Sequence, residues 1–258
     1  IPGVQLLESK GIQEENDDLV EIPEVYNSHL IYPQQNLILS DPMVLRGMEL
    51  GRIEFTPFIY NPNTDELTVY EEVNIIITES GARETGAIRQ LPPSQAFESL
   101  YETMVINYSS EDRTEEYQQP AILYITGGGA GGAIGHPLFQ QLVDWRKKRG
   151  YVVYTAHTGE TGSTTGQIKD YIGNAYDTYD PAPEFVALVG DTDGSYGIPT
   201  YYENWSWYNG EGDMPYILLE GDDLLPEMHI GRISVDNSTQ LSVVVAKSLA
   251  YEKATYIS

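Results

Sequence analysis

The sequence predicts an α+β protein: an antiparallel, β-rich N-terminal half followed by an α/β half with a mainly parallel sheet. Residues 30–80 alternate apolar and polar side chains at the strand period, with few helix signals. From Ala121 onward, strand-like runs alternate with helical ones, the pattern of a parallel sheet with covering helices. With 41% hydrophobic residues in 258, the chain can build real cores, as one large domain or two modest ones.

In chain order, residues 52–60 lead into the turn Asn61-Pro-Asn-Thr-Asp65 and return through residues 67–77. Apolar positions of period two on both sides of a Pro/Asn/Asp turn predict a β-hairpin. Between Ser80 and Gln119 the pattern loosens. Gly81, Gly86, Pro92-Pro93 and the polar run 109–116 mark a linker, with one short helix at about 97–105. This stretch holds Arg83, Arg89 and Arg113, which read as exposed and as candidate processing positions, because nicking concentrates in accessible, weakly structured segments. An ordinary interdomain linker has the same composition.

Residues 122–126 read as a buried strand, followed by a glycine loop and a helix at about 137–149. Leu138, Leu142 and Trp145 share a face of that helix, and Lys147, Lys148 and Arg149 sit at the negative end of its dipole. Gly150 stops it. A strand at 151–155, a helix at 165–176 and a strand at 184–190 follow. The last helix begins after Asn237, with Asn237 and Gln240 as a capping pair, and runs to about 254. Leu241, Val244, Val245 and Leu249 form its apolar face.

Thirty-nine acidic against 14 basic residues give a net charge of −25, which repels phosphate backbones and anionic lipid. Solubility in salty or calcium-rich water is the bland explanation of that charge. The absence of cysteine excludes disulfides, thiolate metal sites and a thiol nucleophile within these residues. No apolar run reaches the roughly 18 residues of a membrane span. The start at Ile1, without signal peptide or initiator methionine, reads as a processed or trimmed end. Sequons at Asn107, Asn204 and Asn237 are of a kind that arises often by chance.

Gly127-Gly-Gly-Ala-Gly-Gly132 satisfies a dinucleotide-binding template, but the second strand ends without the acid that would hold a ribose, and a mobile loop is the reading. His29, His136, His157 and His229 show no zinc-ligand spacing, and no serine motif supports a triad. The acidic residues are more informative. Asp191 ends the strand at 184–190, and Asp223 and Glu227 lie in a turn that begins at Glu220. Three carboxylates gathered by a turn and a strand end suit calcium, which takes six to eight oxygens at about 2.3–2.6 Å. Asp191-Thr-Asp-Gly194 is not an EF-hand, since position twelve is Tyr202. A solvated acidic edge is the alternative.

Four ordered stretches carry a resemblance. Val143-Asp-Trp-Arg-Lys-Lys-Arg-Gly150, Phe185-Val-Ala-Leu-Val-Gly-Asp191, Pro226-Glu-Met-His-Ile-Gly-Arg232 and Tyr251-Glu-Lys-Ala254 resemble the gingipain family of cysteine peptidases. Their order and spacing are similar to the first half of that family's caspase-like catalytic domain. The hairpin at 61–73 resembles the end of its inhibitory propeptide. The resemblance covers most of residues 50–256. It implies a propeptide-like domain at 1–117, including a linker at 80–117, and a first α/β subdomain at 118–258. It also implies a structural calcium held by the side chains of Asp191, Asp223 and Glu227 and the carbonyls of Glu220 and Leu225. The family's catalytic histidine and cysteine would lie in a second subdomain beyond this chain, so no catalytic residue is assigned here. The expectation is the proenzyme portion of a secreted endopeptidase acting on proteins and peptides. A secreted, non-catalytic, calcium-binding interaction module on the same scaffold is the alternative, and a nucleotide-binding enzyme using the 127–132 loop is a third.

Overall fold

The computed structural model describes residues 4–5, 20–21, 29–76, 78, 88–110, 115–205 and 208–253. The chain divides into two compact units, one of residues 1–42 and 51–84, the other of residues 43–50 and 85–258.

The first unit is built from short antiparallel pairs. Strand β1 (Val4–Gln5) pairs with β2 (Val20–Glu21), and β3 (Leu37–Leu39) with β6 (Ile53–Phe55). The expected hairpin forms between β7 (Phe58–Asn61) and β8 (Glu66–Val69). Its turn is closed by the Asn61 side chain, which accepts from the Asn63 amide, and by Asp65 at φ +54°. The returning strand ends at Val69 instead of running to residue 77. Val73, Ile75 and Ile76 are exposed, and apolar alternation without a pairing partner does not make a strand.

The second unit contains a four-stranded parallel sheet in the order β10-β9-β11-β14: β9 (Ala121–Thr126), β10 (Val152–His157), β11 (Phe185–Val189) and β14 (His229–Ile233). Central β9 is buried along its whole length, which explains its unbroken apolar run. Leu123 and Ile125 face one core, shared with Ile168, Ile172 and Tyr176 of the helix Thr165–Thr178. Ile122 and Tyr124 face the other, shared with Leu142 of the helix Pro137–Lys148 and Leu241, Val245 and Leu249 of the helix Ser238–Glu252. The latter two helices are clamped by Arg146, which donates from both terminal nitrogens to the Glu252 carboxylate at 2.7 Å, while Trp145 Nε1 donates to the same group.

Helix starts follow the sequence closely. Asn237 accepts from the Gln240 amide, although the Gln240 side chain bonds the amide of Asp236 and not that of Asn237. His136 caps the helix at Pro137, and Thr164 with Gln167 forms a capping box. Strand β14 follows the acidic turn and widens the sheet beyond the βα units the periodicity defines.

Two stretches are more closely packed than their composition suggests. The short helix expected within 80–119 forms, and it anchors the described part of that stretch. The helix Gln95–Met104 within it buries Phe97 and Tyr101 against Leu45, in a third cluster formed with the hairpin β4 (Met43–Leu45) and β5 (Met48–Leu50). The 127–132 stretch is folded, not open, entering the 3₁₀ turns Gly129–Gly131 and Ala133–Gly135. A Cβ on Gly127 would lie 1.9 Å from the Tyr196 carbonyl oxygen. The amides of Gly127, Gly129 and Gly132 already donate to Val189, Thr158 and Gly129, so donors that a phosphate would use are taken.

Candidate functional site at the acidic turn

The turn from Glu220 to Glu227 is held at the N-terminal end of the parallel sheet. The Glu227 amide donates to Ile217 O, and the His229 amide donates to Glu184 O as β14 enters the sheet. These bonds draw Glu227 inside, where its side chain is fully buried. Its Oε2 accepts from the Leu219 amide at 2.6 Å, while Oε1 has no partner of good hydrogen-bond geometry among the described residues. Burial pushes its pKa up to about 7. The amides of Leu219 and Glu220 pull the other way, and the nearby charges of Glu220 and Asp223 push it further up.

Asp223 is oriented by two amides: Oδ1 accepts from that of Leu225 and Oδ2 from that of Val44, both at 2.7 Å, one bond to each oxygen. Gly221, at φ +74°, leaves room for it, since a Cβ there would meet Asp223 Oδ2 at 2.5 Å. Glu220 accepts from the Arg89 amide at 3.2 Å and from the Tyr176 hydroxyl at 2.9 Å. Burial, then the charge of Glu220, holds the Tyr176 hydroxyl well above its usual range. Leu225 packs on the third cluster.

Asp191 does not join them. It follows β11 at the opposite end of the sheet, its amide donating to Val235 O. By the register Phe185↔His229, Glu227 is level with Pro183, and eight residues of extended chain at about 3.3 Å each put Asp191 on the order of 25 Å from it. Its carbonyl accepts from Ile198 N and from Arg232 Nη1, and its Oδ1 from the Thr192 amide. Arg232 is itself held by Asp213, so this end of the sheet is an ion-paired loop clamp beside a depression of about 380 Å³. Among the described residues no group of three or more His, Asp and Glu side chains is assembled to hold a metal ion. Of the five residues expected to hold calcium, Glu220, Asp223, Leu225 and Glu227 share one turn.

Arg89, expected to be exposed, is half-buried. Its guanidinium donates to the Tyr179 carbonyl and lies over the Tyr176 ring, at 5.7 Å from the centroid. A side chain held in this way is not presented to a protease. Arg83 and Arg113 lie outside the described residues.

Three of the four histidines have structural contacts. His136 Nδ1 accepts from the Leu138 amide, so in the neutral ring Nε2 carries the proton and faces Ser242 Oγ at 3.3 Å. Ser242 in turn donates to Ser238 O, so this pair cannot act as nucleophile and base. His157 caps the short helix Thr158–Thr161, and His229 stacks between Phe97 and Phe185.

Arg46 carried no sequence signal. It is only 4% exposed, and its guanidinium donates to the carbonyls of Ala182, Pro183 and Glu227. Near it, fully buried Glu184 accepts from Ser94 Oγ at 2.5 Å. Neither residue lies in a recognisable motif, and no spacing rule reaches across more than 130 residues.

The model of peptidase family C25 matches residues 115–257, and the model of the C25 propeptide matches residues 4–113. Gingipain R1 of Porphyromonas gingivalis is 26% identical over 97% of this chain and 25% of its own length. Gingipain R2 of the same species is 26% identical over 97% of this chain and 34% of itself, and Lys-gingipain is 26% identical over 97% and 15%. The chain therefore spans about a third of these relatives' length at most. The crystal structure of the Arg specific cysteine proteinase gingipain R aligns with 52% of this chain and 28% of its own, at 20% identity and a TM-score of 0.42.

Proposed function

Because the chain belongs to peptidase family C25 and carries that family's propeptide ahead of the peptidase portion, we propose that it is part of a secreted cysteine endopeptidase proenzyme. The observation that carries this reading is the order of the two matches, propeptide to residue 113 and peptidase from residue 115. The nucleophilic cysteine and its activating histidine belong to a partner subdomain outside these 258 residues, which contain no cysteine. There the histidine would take the thiol proton and the thiolate would attack the scissile carbonyl of a protein or peptide. This chain contributes the sheet that supports that subdomain and the propeptide that precedes it. Arg83 and Arg113 are the positions proposed for processing, Arg89 being tied down.

Intact mass spectrometry of the natively purified protein, under denaturing conditions and after iodoacetamide treatment, tests the reading. A longer or co-purifying polypeptide with an alkylated cysteine and matching peptidase activity is expected. This chain alone, inert, would overturn it in favour of a binding module.

Calcium is part of the same proposal, with Glu227 and Asp223 as side-chain ligands, the carbonyls of Glu220 and Leu225 completing the set, and Asp191 left out. Glu227 Oε1 supports it, since a buried carboxylate oxygen without a well-formed hydrogen bond is stabilised by a cation. Bound calcium would neutralise the turn and raise the fold's stability. Millimolar calcium against a chelator should raise the thermal midpoint, by about 2.7 kcal/mol of stability at a hundredfold excess over Kd. An unchanged midpoint removes the ion.

A further inference from the structure

The residues matched by the propeptide model are shared between the two compact units. The hairpin Met43–Leu50 and the segment from Thr85 cluster with the peptidase portion, apart from the remainder of the propeptide. The tip of that hairpin is a two-residue turn, Arg46 at φ +45° and Gly47 at φ +76°, the geometry that matches strand twist. Gly47 is required there, because a Cβ would lie 2.6 Å from the Arg89 carbonyl oxygen.

The turn places Arg46 in a cage made chiefly by the peptidase portion. Nη1 donates to Glu227 O at 2.8 Å and to Pro183 O at 2.9 Å, and Nη2 to Ala182 O at 3.2 Å. Its charged carbon lies 5.2 Å from the Phe97 ring centroid and 5.9 Å from that of Tyr176. Three converging carbonyls demand a planar, multi-donor cation, and lysine cannot reproduce that fork. Removing the guanidinium would take this donor from the carbonyls of Pro183 and Glu227, while Ala182 O would keep the Gln118 side chain as its donor.

Resting on the propeptide reading above, we propose that Arg46 is the anchor of the propeptide on the peptidase portion, the residue that determines the affinity of this contact once the connecting chain is cut. The surface it fits is the carbonyl cage of Ala182, Pro183 and Glu227 with the Tyr176 ring.

The test uses the full chain with a site for a sequence-specific protease placed at residues 111–114. After cutting, the two fragments are followed by size-exclusion chromatography and by dissociation kinetics. The parent fragments should stay together. Arg46→Lys should weaken the complex at least tenfold and Arg46→Ala about a hundredfold, with methylguanidinium restoring much of the loss in the alanine variant. Thermal midpoints measured before cutting establish that each variant folds, and Arg52→Ala, at an exposed position just before β6, should leave retention unchanged. Arg46→Ala or Arg46→Lys fragments that stay together within threefold of the parent would overturn the anchor. None of these readouts needs peptidase activity, so a failed anchor and a failed assignment of function remain separate results.

Discussion

The two units use the same kinds of residue differently. In the unit of residues 1–42 and 51–84, β3 exposes Leu37, Ile38 and Leu39, the last at 71%, and β8 exposes Leu67 and Val69. In the parallel sheet of the other unit, Leu123 and Ile125 are fully buried and β9 has no exposed residue. Strands become a core only when both faces are covered, and helices from two βα units cover the parallel sheet on both sides. The short antiparallel pairs have no described helix over them. Apolar strand content is thus a poor guide to stability, and coverage is the better one.

The contrast can be broken by substitution. Leu123→Ala should cost about 2–5 kcal/mol in urea unfolding, whereas Leu39→Ala should stay within about 0.5 kcal/mol. Similar losses at both positions would show that the exposed strand has an unrecognised partner in solution.

Glu227 sharpens the comparison at the edge of the sheet. Its carboxyl titrates at about 7 in the folded chain, against an ordinary value of 4.5. An acid that holds its proton more tightly when folded makes stability fall as pH rises through the interval from about 4.5 to about 7. Above that interval the loss is complete, about 3 kcal/mol without bound cation. Glu227→Gln should therefore be more stable than the parent at pH 8 in chelator, should flatten the pH profile, and should lose the calcium response. Asp191→Asn, at the far end of the sheet, should keep that response.

A smaller effect is expected where two helices meet. Glu252→Gln, which strips the charge from the partly buried pair with Arg146, should cost about 1–3 kcal/mol. On β6 of the first unit, Glu54→Gln, which removes the charge of an exposed side chain facing Arg52, should cost less than about 0.5 kcal/mol.

Most of the α/β half was legible because its signals are local. Gly150 and Asn237 mark helix ends through bonds made within a few residues. Strand β14 was harder to see, since His229-Ile-Gly-Arg-Ile233 is short and interrupted by glycine and a charge. It becomes a strand because β11 offers a parallel edge. The acidic turn was found, but its membership was not. Asp191 looked like a partner of Glu227 because both adjoin apolar strands, and only the parallel register shows that they flank opposite ends of the sheet. The hairpin at Met43–Leu50 was missed altogether, since an Arg-Gly turn is a weaker signal than Asn-Gly and its strands are three residues long.

What the sequence determined by itself is whatever depends on neighbours along the chain: the two textures, the helix caps, the hairpin turn at residues 61–65, the missing thiol and the family. What the tertiary structure decided is whatever depends on groups far apart. Arg46 reaches carbonyls some 136 to 181 residues away, Asp223 takes the amide of Val44, and Glu227 is left with a buried oxygen that has no well-formed hydrogen bond among the described residues. Periodicity and capping are short-range and survive as patterns. The environment of a buried charge is set by every element packed around it, and no local pattern records that.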